Sequence, residues 1–497
     1  MSNLATSFLA AANATPGATA IRLDDETLTY SKLEAAARRV AGLLVQRGIK
    51  PGDTVGIMVP NVAAFPALYY GVLLAGGVAV PMNPLLKNRE IAYYLGDSGA
   101  KLVFAWHAVA AEAEAGALEA HAGVVKVDES FLSDISAPPL AGVADRAEDD
   151  TAVILYTSGT TGHPKGAELT HFNLRRNADR FARDWLKLSA NDVVLGCLPL
   201  FHTFGQTVSM NCTLFSGATL VLLPRFTGDL ALQSIQKEKV TVFAGVPTMY
   251  SAMIEAPGSA DADASTLRLC CSGGAALPLD TLTSFEGKFR AVIIEGYGLS
   301  ETSPVCCFNP PEGERKIGSV GLPLDGVEMR VINDDGATLP PGELGEICVR
   351  GENVMKGYLG RPTATAEAFI DGWFRTGDIG KQDDDGYFYI VDRKKSLIIR
   401  GGYNVYPREV EEVLYEHPDV VEAAVIGIPH AALGEEVGAA IAVRPGATVD
   451  TAEISEFVKA RLAAYKYPRQ VWVLDELPKG PTGKILRREV QPPASAR

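Results

Sequence analysis

The segment Tyr156-Thr157-Ser158-Gly159-Thr160-Thr161-Gly162-His163-Pro164-Lys165-Gly166 concentrates chemistry suited to holding phosphate. Gly159, Gly162 and Gly166 open backbone conformations closed to other residues and expose N–H groups to a ligand. Thr157, Ser158, Thr160 and Thr161 add hydroxyl donors, and Lys165 adds charge. The apolar run Ala152 to Leu155 predicts a buried strand that feeds this loop. The spacing is not that of the Walker loop, Gly-x-x-x-x-Gly-Lys-Ser/Thr, which occurs nowhere in the chain, so a P-loop kinase or motor ATPase is disfavoured. Taken alone, the cluster is better read as a polar turn between two elements of an α/β fold.

Other clusters follow it in order: Phe201-His202-Thr203-Phe204-Gly205, Ser272-Gly273-Gly274-Ala275, Gly296-Tyr297-Gly298-Leu299-Ser300-Glu301, Thr376-Gly377-Asp378, Asp392-Arg393-Lys394-Lys395 and Pro481-Thr482-Gly483-Lys484. The elements that must position them are short β-rich runs alternating with helix-like stretches: Thr54 to Val59, Lys101 to Phe104, Val193 to Leu198, Ala218 to Leu223, Val240 to Val246, Leu267 to Cys271 and Val292 to Glu295. That alternation predicts α/β layers with largely parallel sheets. Three of the runs end in glycine turns, Gly245-Val246-Pro247, Ser272-Gly273-Gly274 and Gly296-Tyr297-Gly298, which predicts a crevice on the rim where open α/β sheets bind ligands.

After about residue 320, turns such as Asn333-Asp334-Asp335-Gly336 and Pro340-Pro341-Gly342 punctuate short strands, and a small β subdomain is expected. Beyond Asp392 the pattern is α+β: a strand over Ser396 to Ile399, a helix over Pro407 to His417, strands over Val420 to Ile428 and Val437 to Val443, a helix over Thr451 to Leu462 and a strand over Gln470 to Leu474. In the first helix Val410, Val413 and Leu414 are expected to face inward, with Glu409, Glu411, Glu412 and Glu416 facing water. The domains read as 1–391, a charged hinge at 392–395, and 396–497.

Composition sets bounds on function. With 497 residues, 47% of them hydrophobic, the chain can bury a large core. A net charge of −14 argues against a nucleic-acid surface, which needs a basic face. No window approaches the length of uncharged apolar residues that a membrane span requires, and no signal peptide opens the chain, so a cytoplasmic protein is expected. The seven cysteines show no Cys-x-x-Cys and no nearby His pair, so reduced core thiols are expected, with neither disulfides nor zinc.

The ordered set of motifs resembles the adenylate-forming superfamily, the group of acyl-CoA synthetases, adenylation domains of peptide synthetases and beetle luciferases. The likeness runs from Leu28-Thr29-Tyr30 to Arg487. It implies a large N-terminal domain of layered α/β subdomains and a mobile C-terminal lid, with ATP, Mg2+ and coenzyme A as cofactors. It implies Glu301 as magnesium ligand, Lys484 as the lysine that reaches the acid and the α-phosphate, and Asp378 as acceptor for the ribose hydroxyls. Thr157 and Lys165 would serve the phosphates, and Arg393 would reach ribose or phosphate from the hinge side. Adenine would lie against Tyr297 and the Gly273-Gly274-Ala275 backbone, with Gly296 and Gly298 keeping that wall thin. His202 would stand beside the acyl carboxylate without acid–base duty, and Gly402 would line the pantetheine tunnel once the lid has turned. Joining two anions requires positive charge where the pentavalent centre develops, which these groups could supply.

The implied activity is an ATP-dependent acid:CoA ligase acting on a medium- or long-chain fatty acid. Val208, Met210, Val246, Thr248, Met249 and Pro304 are expected to give a mainly apolar lining. Rival readings are an aryl or cinnamate-type CoA ligase, a ligase that loads a carrier protein, and a non-catalytic adenylate binder. No carrier module is expected within the chain, and intact Glu301, Asp378 and Lys484 argue against the last reading.

Overall fold

The computed structural model describes residues 2–157, 164–430 and 433–493. Two α/β layers form the bulk of it. A nine-stranded sheet runs in the order Leu322–Pro323, Val305–Phe308, Ile293–Gly298, Leu269–Ser272, Val242–Gly245, Val193–Gly196, Thr219–Leu222, Thr19–Leu23, Glu26–Thr29. A seven-stranded sheet runs Gly357–Tyr358, Lys165–Thr170, Thr151–Thr157, Val78–Pro81, Thr54–Met58, Leu102–Trp106, Gly123–Val127. Their central strands are parallel, as the alternation of strand and helix predicts.

The helix Ala64–Leu74 is apolar on every side, so it can be stable only where every side is covered, and all 11 of its residues are buried. It shares one core with strand residues of both sheets, among them Ile57 and Val153 from the smaller and Leu220 and Leu222 from the larger. Its neighbour Tyr30–Gln46 starts at Thr29, whose hydroxyl accepts from the Lys32 N–H at 3.3 Å as an N-cap. A second core, built on Phe243, Tyr250, Phe285 and Ile294, fills the space under the large sheet.

The turn-rich stretch forms the expected β subdomain, in which Trp373–Gln382 pairs with Gly345–Gly351 on one side and with Phe388–Arg393 on the other. Asp392 and Arg393 therefore end a strand, and only Lys394 and Lys395 of the charged hinge segment lie in a turn. The C-terminal domain is a five-stranded sheet carrying the helices Pro407–Tyr415 and Thr451–Lys459, each ending short of the expected boundary. The strand expected from Ser396 begins at Ile398.

One expectation fails in the helix Pro407–Tyr415: Glu411 does not face water but is 8% exposed. Its position, three before Leu414, places it at the flank of the buried stripe. There the Val425 N–H (2.8 Å) and the Arg487 guanidinium (2.7 Å from Nε) satisfy its carboxylate.

Candidate active site

Strand ends bring the first group together. Thr157 closes the strand Thr151–Thr157, and the strand Ile293–Gly298 runs into a short turn, Ser300–Thr302, that presents Glu301. The buried Glu301 carboxylate accepts from the Thr157 hydroxyl at 3.1 Å and the Tyr358 hydroxyl at 3.0 Å. Its backbone carbonyl is fixed by the Met355 N–H at 2.8 Å. The Lys165 ammonium lies 5.1 Å from the centre of the Tyr358 ring.

Sequence reasoning missed Tyr358. It arrives through the short strand Gly357–Tyr358, which pairs with Lys165–Thr170 in the register Tyr358 with Ala167. No local pattern announces that pairing. Ser158, Gly159, Thr160, Thr161 and Gly162 lie outside the described residues.

Glu301 has the character of a cation ligand: a carboxylate taken from water, held by neutral hydroxyls, with no Lys, Arg or His ion-paired to it among the described residues. No group of three or more His, Cys, Asp or Glu side chains placed to hold a metal ion exists among the described residues. A magnesium ion fits this setting, and Glu301 is the residue that would hold it, a hard carboxylate oxygen suiting a hard cation beside phosphates.

Asp378, 2% exposed, sits mid-strand opposite Arg393. Its Oδ1 is ion-paired with the Arg393 guanidinium, 3.0 Å from Nε, and its Oδ2 accepts from the Tyr297 hydroxyl at 2.5 Å. Burial raises its pKa, and the Arg393 charge opposes that rise. Each carboxylate oxygen has two acceptor sites, so capacity remains for ribose hydroxyls.

Gly273 lies against the Phe204 ring, which would stand 3.2 Å from an added Cβ. The reason for Gly296 and Gly298 differs from the expected thin wall. An added Cβ would sit 2.0 Å from the Phe308 ring at Gly296 and 1.8 Å from the Pro304 carbonyl oxygen at Gly298. Close packing of the strand Val305–Phe308 and the turn before it excludes side chains at both positions.

His202 begins the segment that leads into the buried π-helix Gly205–Asn211. Its Nδ1 accepts from the Phe204 N–H at 3.2 Å, which leaves the proton of the neutral ring on Nε2. Burial, reinforced by the Lys484 charge, pushes its pKa down to about 4. Lys484 reaches this crevice from the C-terminal domain. The residue is exposed, yet the protein around it desolvates the ammonium and, with Arg393 adding repulsion, draws it down to about 8.

Two groups of the expected residues are thus assembled, Thr157, Lys165 and Glu301 around Tyr358, and Tyr297, Asp378 and Arg393, while the Lys484 charge acts on His202 and Asp378 and the Arg393 charge on Glu301. Gly402 does not join them: it lies exposed, at φ +86°, in the turn between Ile398–Arg400 and Tyr403–Val405, and a methyl there would meet nothing within 4 Å. Of the expected acyl lining, Val208, Val246 and Met249 are buried in the second core beside Phe204. Met210 departs from it, packing into the first core with Leu200 and Leu214.

The profile of the AMP-binding enzyme family matches residues 8–359, and that of the AMP-binding enzyme C-terminal domain matches residues 409–484. The chain is 37% identical to a long-chain-fatty-acid–CoA ligase of Bacillus subtilis (strain 168), over 96% of this chain and 91% of that protein. It is 40% identical to a feruloyl-CoA synthase of an Amycolatopsis species, over 97% and 96%. The crystal structure of ATP-bound MatB from Rhodopseudomonas palustris, 36% identical, superposes with a TM-score of 0.92 over 98% of this chain and 97% of that one. The apo form of MatB superposes less closely, at 0.82. Motifs, fold and relatives agree, and the chain belongs to the AMP-binding enzyme family, the adenylate-forming acid–CoA ligases.

Proposed function

We propose that the chain activates a medium- or long-chain fatty acid as its adenylate and then passes the acyl group to coenzyme A. What supports this reading is the docking of the Lys484 loop on the N-terminal domain, where the Thr248 hydroxyl holds the Gly483 carbonyl at 2.8 Å, with the Lys484 charge acting on His202, Asp378 and Arg393. In the first step a carboxylate oxygen bonds to the α-phosphorus, and the bond to the bridging oxygen of pyrophosphate breaks. The Lys484 ammonium offsets the crowded negative charge there. Lys165 and Thr157 serve the departing phosphates, and Asp378 holds the ribose, oriented by Tyr297 and Arg393. Glu301 would hold a magnesium ion, which when bound supplies further charge neutralisation at the phosphates. His202, neutral at physiological pH, offers its Nε2–H to the acyl carboxylate as a hydrogen bond and, with Nδ1 occupied by the Phe204 N–H, takes no acid–base part.

In the second step the thiol gives its proton to water, its sulfur bonds to the acyl carbon, and AMP leaves with the electron pair of the anhydride bond. This step needs the C-terminal domain to turn so that Gly402 faces the crevice and Lys484 withdraws.

The fatty acid is favoured because Phe204, Val208, Val246 and Met249 are buried apolar side chains, and no Lys or Arg occurs in 197–210, 244–249 or 272–275 to pair a second carboxylate. An aryl acid is the second reading. Thr203 Oγ1, Ser272 Oγ and Ser303 Oγ are buried hydroxyls without a hydrogen-bond partner among the described residues, and a phenolic hydroxyl would suit them.

A pyrophosphate-exchange assay over alkyl and aryl acids separates the two. In the same assay Lys484→Ala is expected to slow adenylation about a hundredfold or more, while conversion of supplied acyl-AMP to thioester survives. Equal losses in both halves reject the assignment.

A further inference from the structure

The loop that carries Lys484 is seated on a single turn of the N-terminal domain, Gly245-Val246-Pro247-Thr248-Met249, where the strand Val242–Gly245 passes into the helix Pro247–Glu255. The Thr248 hydroxyl donates to the Gly483 carbonyl oxygen at 2.8 Å. Gly483 stands at φ +79° in a tight turn closed by its N–H on the Gly480 carbonyl at 2.9 Å, so the direction of its carbonyl sets the peptide from which Lys484 projects. A Cβ at Gly483 would lie 3.2 Å from both Thr248 Oγ1 and Val246 Cγ2. Val246 also faces the other way: its Cγ1 is 3.5 Å from where a Cβ of Gly274 would stand. One buried side chain thus separates the glycine wall from the lysine loop. Met249, the residue after Thr248, is buried beside Cys197 in the same core as Phe204 and Val208. The far end of the same helix meets the C-terminal domain again, where Arg444 pairs with Glu255 at 2.5 Å, an exposed contact worth little energy.

We propose that Thr248 is a positioning residue that couples the acyl pocket to the seating of Lys484. The proposal rests on the adenylation role assigned to Lys484 above. The turn that walls the pocket also receives the lysine loop, so an acid that displaces Val246 or Thr248 still binds but leaves Lys484 out of register. Acids are then discriminated in the rate of adenylation more than in binding.

Thr248→Val keeps the shape of the side chain and removes only the donor. Its expected effect is a fall of about fivefold in the kcat of acid-dependent pyrophosphate exchange, the weight of one neutral hydrogen bond. The KM for the acid stays within about twofold, supplied acyl-AMP is thioesterified at the wild-type rate, and Thr248→Ser restores exchange. Hydrogen–deuterium exchange of the peptide spanning residues 479–486 gives a readout independent of activity, with faster exchange expected in Thr248→Val than in wild type. A raised acid KM at unchanged kcat would show that Thr248 touches the acid rather than the loop and would overturn the proposal. So would equal loss in both half-reactions, or unaltered amide exchange. Should wild-type protein exchange pyrophosphate with no acid at all, the functional reading fails instead, and the amide-exchange comparison still decides how the loop is seated.

Discussion

Arg487 offers the sharpest test of how the C-terminal domain is locked in the arrangement seen here. Its guanidinium forks between two carboxylates: Nε and Nη2 bind Glu411, the former at 2.7 Å, and Nη1 binds Asp392 at 2.9 Å. The two acids are 11% and 2% exposed at the side chain, so one cation holds two nearly dry anions. Asp392 ends the last strand of the β subdomain, whereas Glu411 belongs to the helix of the C-terminal domain; the bond to Asp392 therefore spans the junction. Removing one partner of a buried pair costs about 3–5 kcal/mol. Part of that is recovered, because Asp392 keeps the N–H groups of Arg393 (2.7 Å) and Arg408 (3.0 Å), and Glu411 keeps that of Val425 (2.8 Å). Arg487 is itself 29% exposed, which lowers the loss further. A net cost of about 2–3 kcal/mol is expected for Arg487→Met, divided between folding of the C-terminal domain and its docking. A double-mutant cycle with Asp392→Asn isolates the docking share, read as urea unfolding and as the adenylation rate. A coupling of about 1–2 kcal/mol, hence a rate effect of about fivefold to thirtyfold, is expected. Coupling within about 0.3 kcal/mol of zero would refute the claim that this bond holds the junction.

Two further outcomes concern pH. Lys484 is charged below its pKa of about 8 and neutral above it. The kcat/KM of adenylation should therefore fall as pH rises through that value, and Arg487→Met, by removing a neighbouring positive charge, should move the descending limb upward; an unmoved limb contradicts the assignment. Glu295 is buried, and desolvation pushes its carboxyl up to about 7 even with Arg408 nearby. Its contribution to stability is complete below the ordinary carboxylate pKa and lost as pH climbs through 7, about 3 kcal/mol by pH 8. Glu295→Gln, still able to accept from the Leu277 N–H (2.9 Å in the wild type), should match wild type in Tm at pH 5 and exceed it at pH 8; equal Tm values at both would count against it.

Much of the site was readable before any coordinates because its pieces sit at strand ends. An apolar run followed by glycines and hydroxyls marks such an end in one dimension, as at Leu155 and Ile294, and the order of the motifs identified the family. The amphipathic helix Pro407–Tyr415 was legible for a similar reason: Val410, Val413 and Leu414 repeat at helical spacing. Sequence also named Glu301, Asp378 and Lys484, each inside a short motif of its own.

What only the tertiary structure decided is who meets whom. Glu411 was assigned to solvent because a glutamate is normally exposed unless a partner covers it, and its partner, Arg487, comes from the far end of the domain. Tyr358 reaches Glu301, and Thr248 the Gly483 carbonyl, through strand pairing and domain docking that no local period encodes. Gly296 and Gly298 announced themselves as glycines, but the packing of Phe308 and Pro304 against them supplied the cause. Chain-local chemistry thus determined the strands, loops and reactive residues. Burial of charge and the meeting of distant side chains depend on contacts between remote segments, and those exist only once the layers have packed.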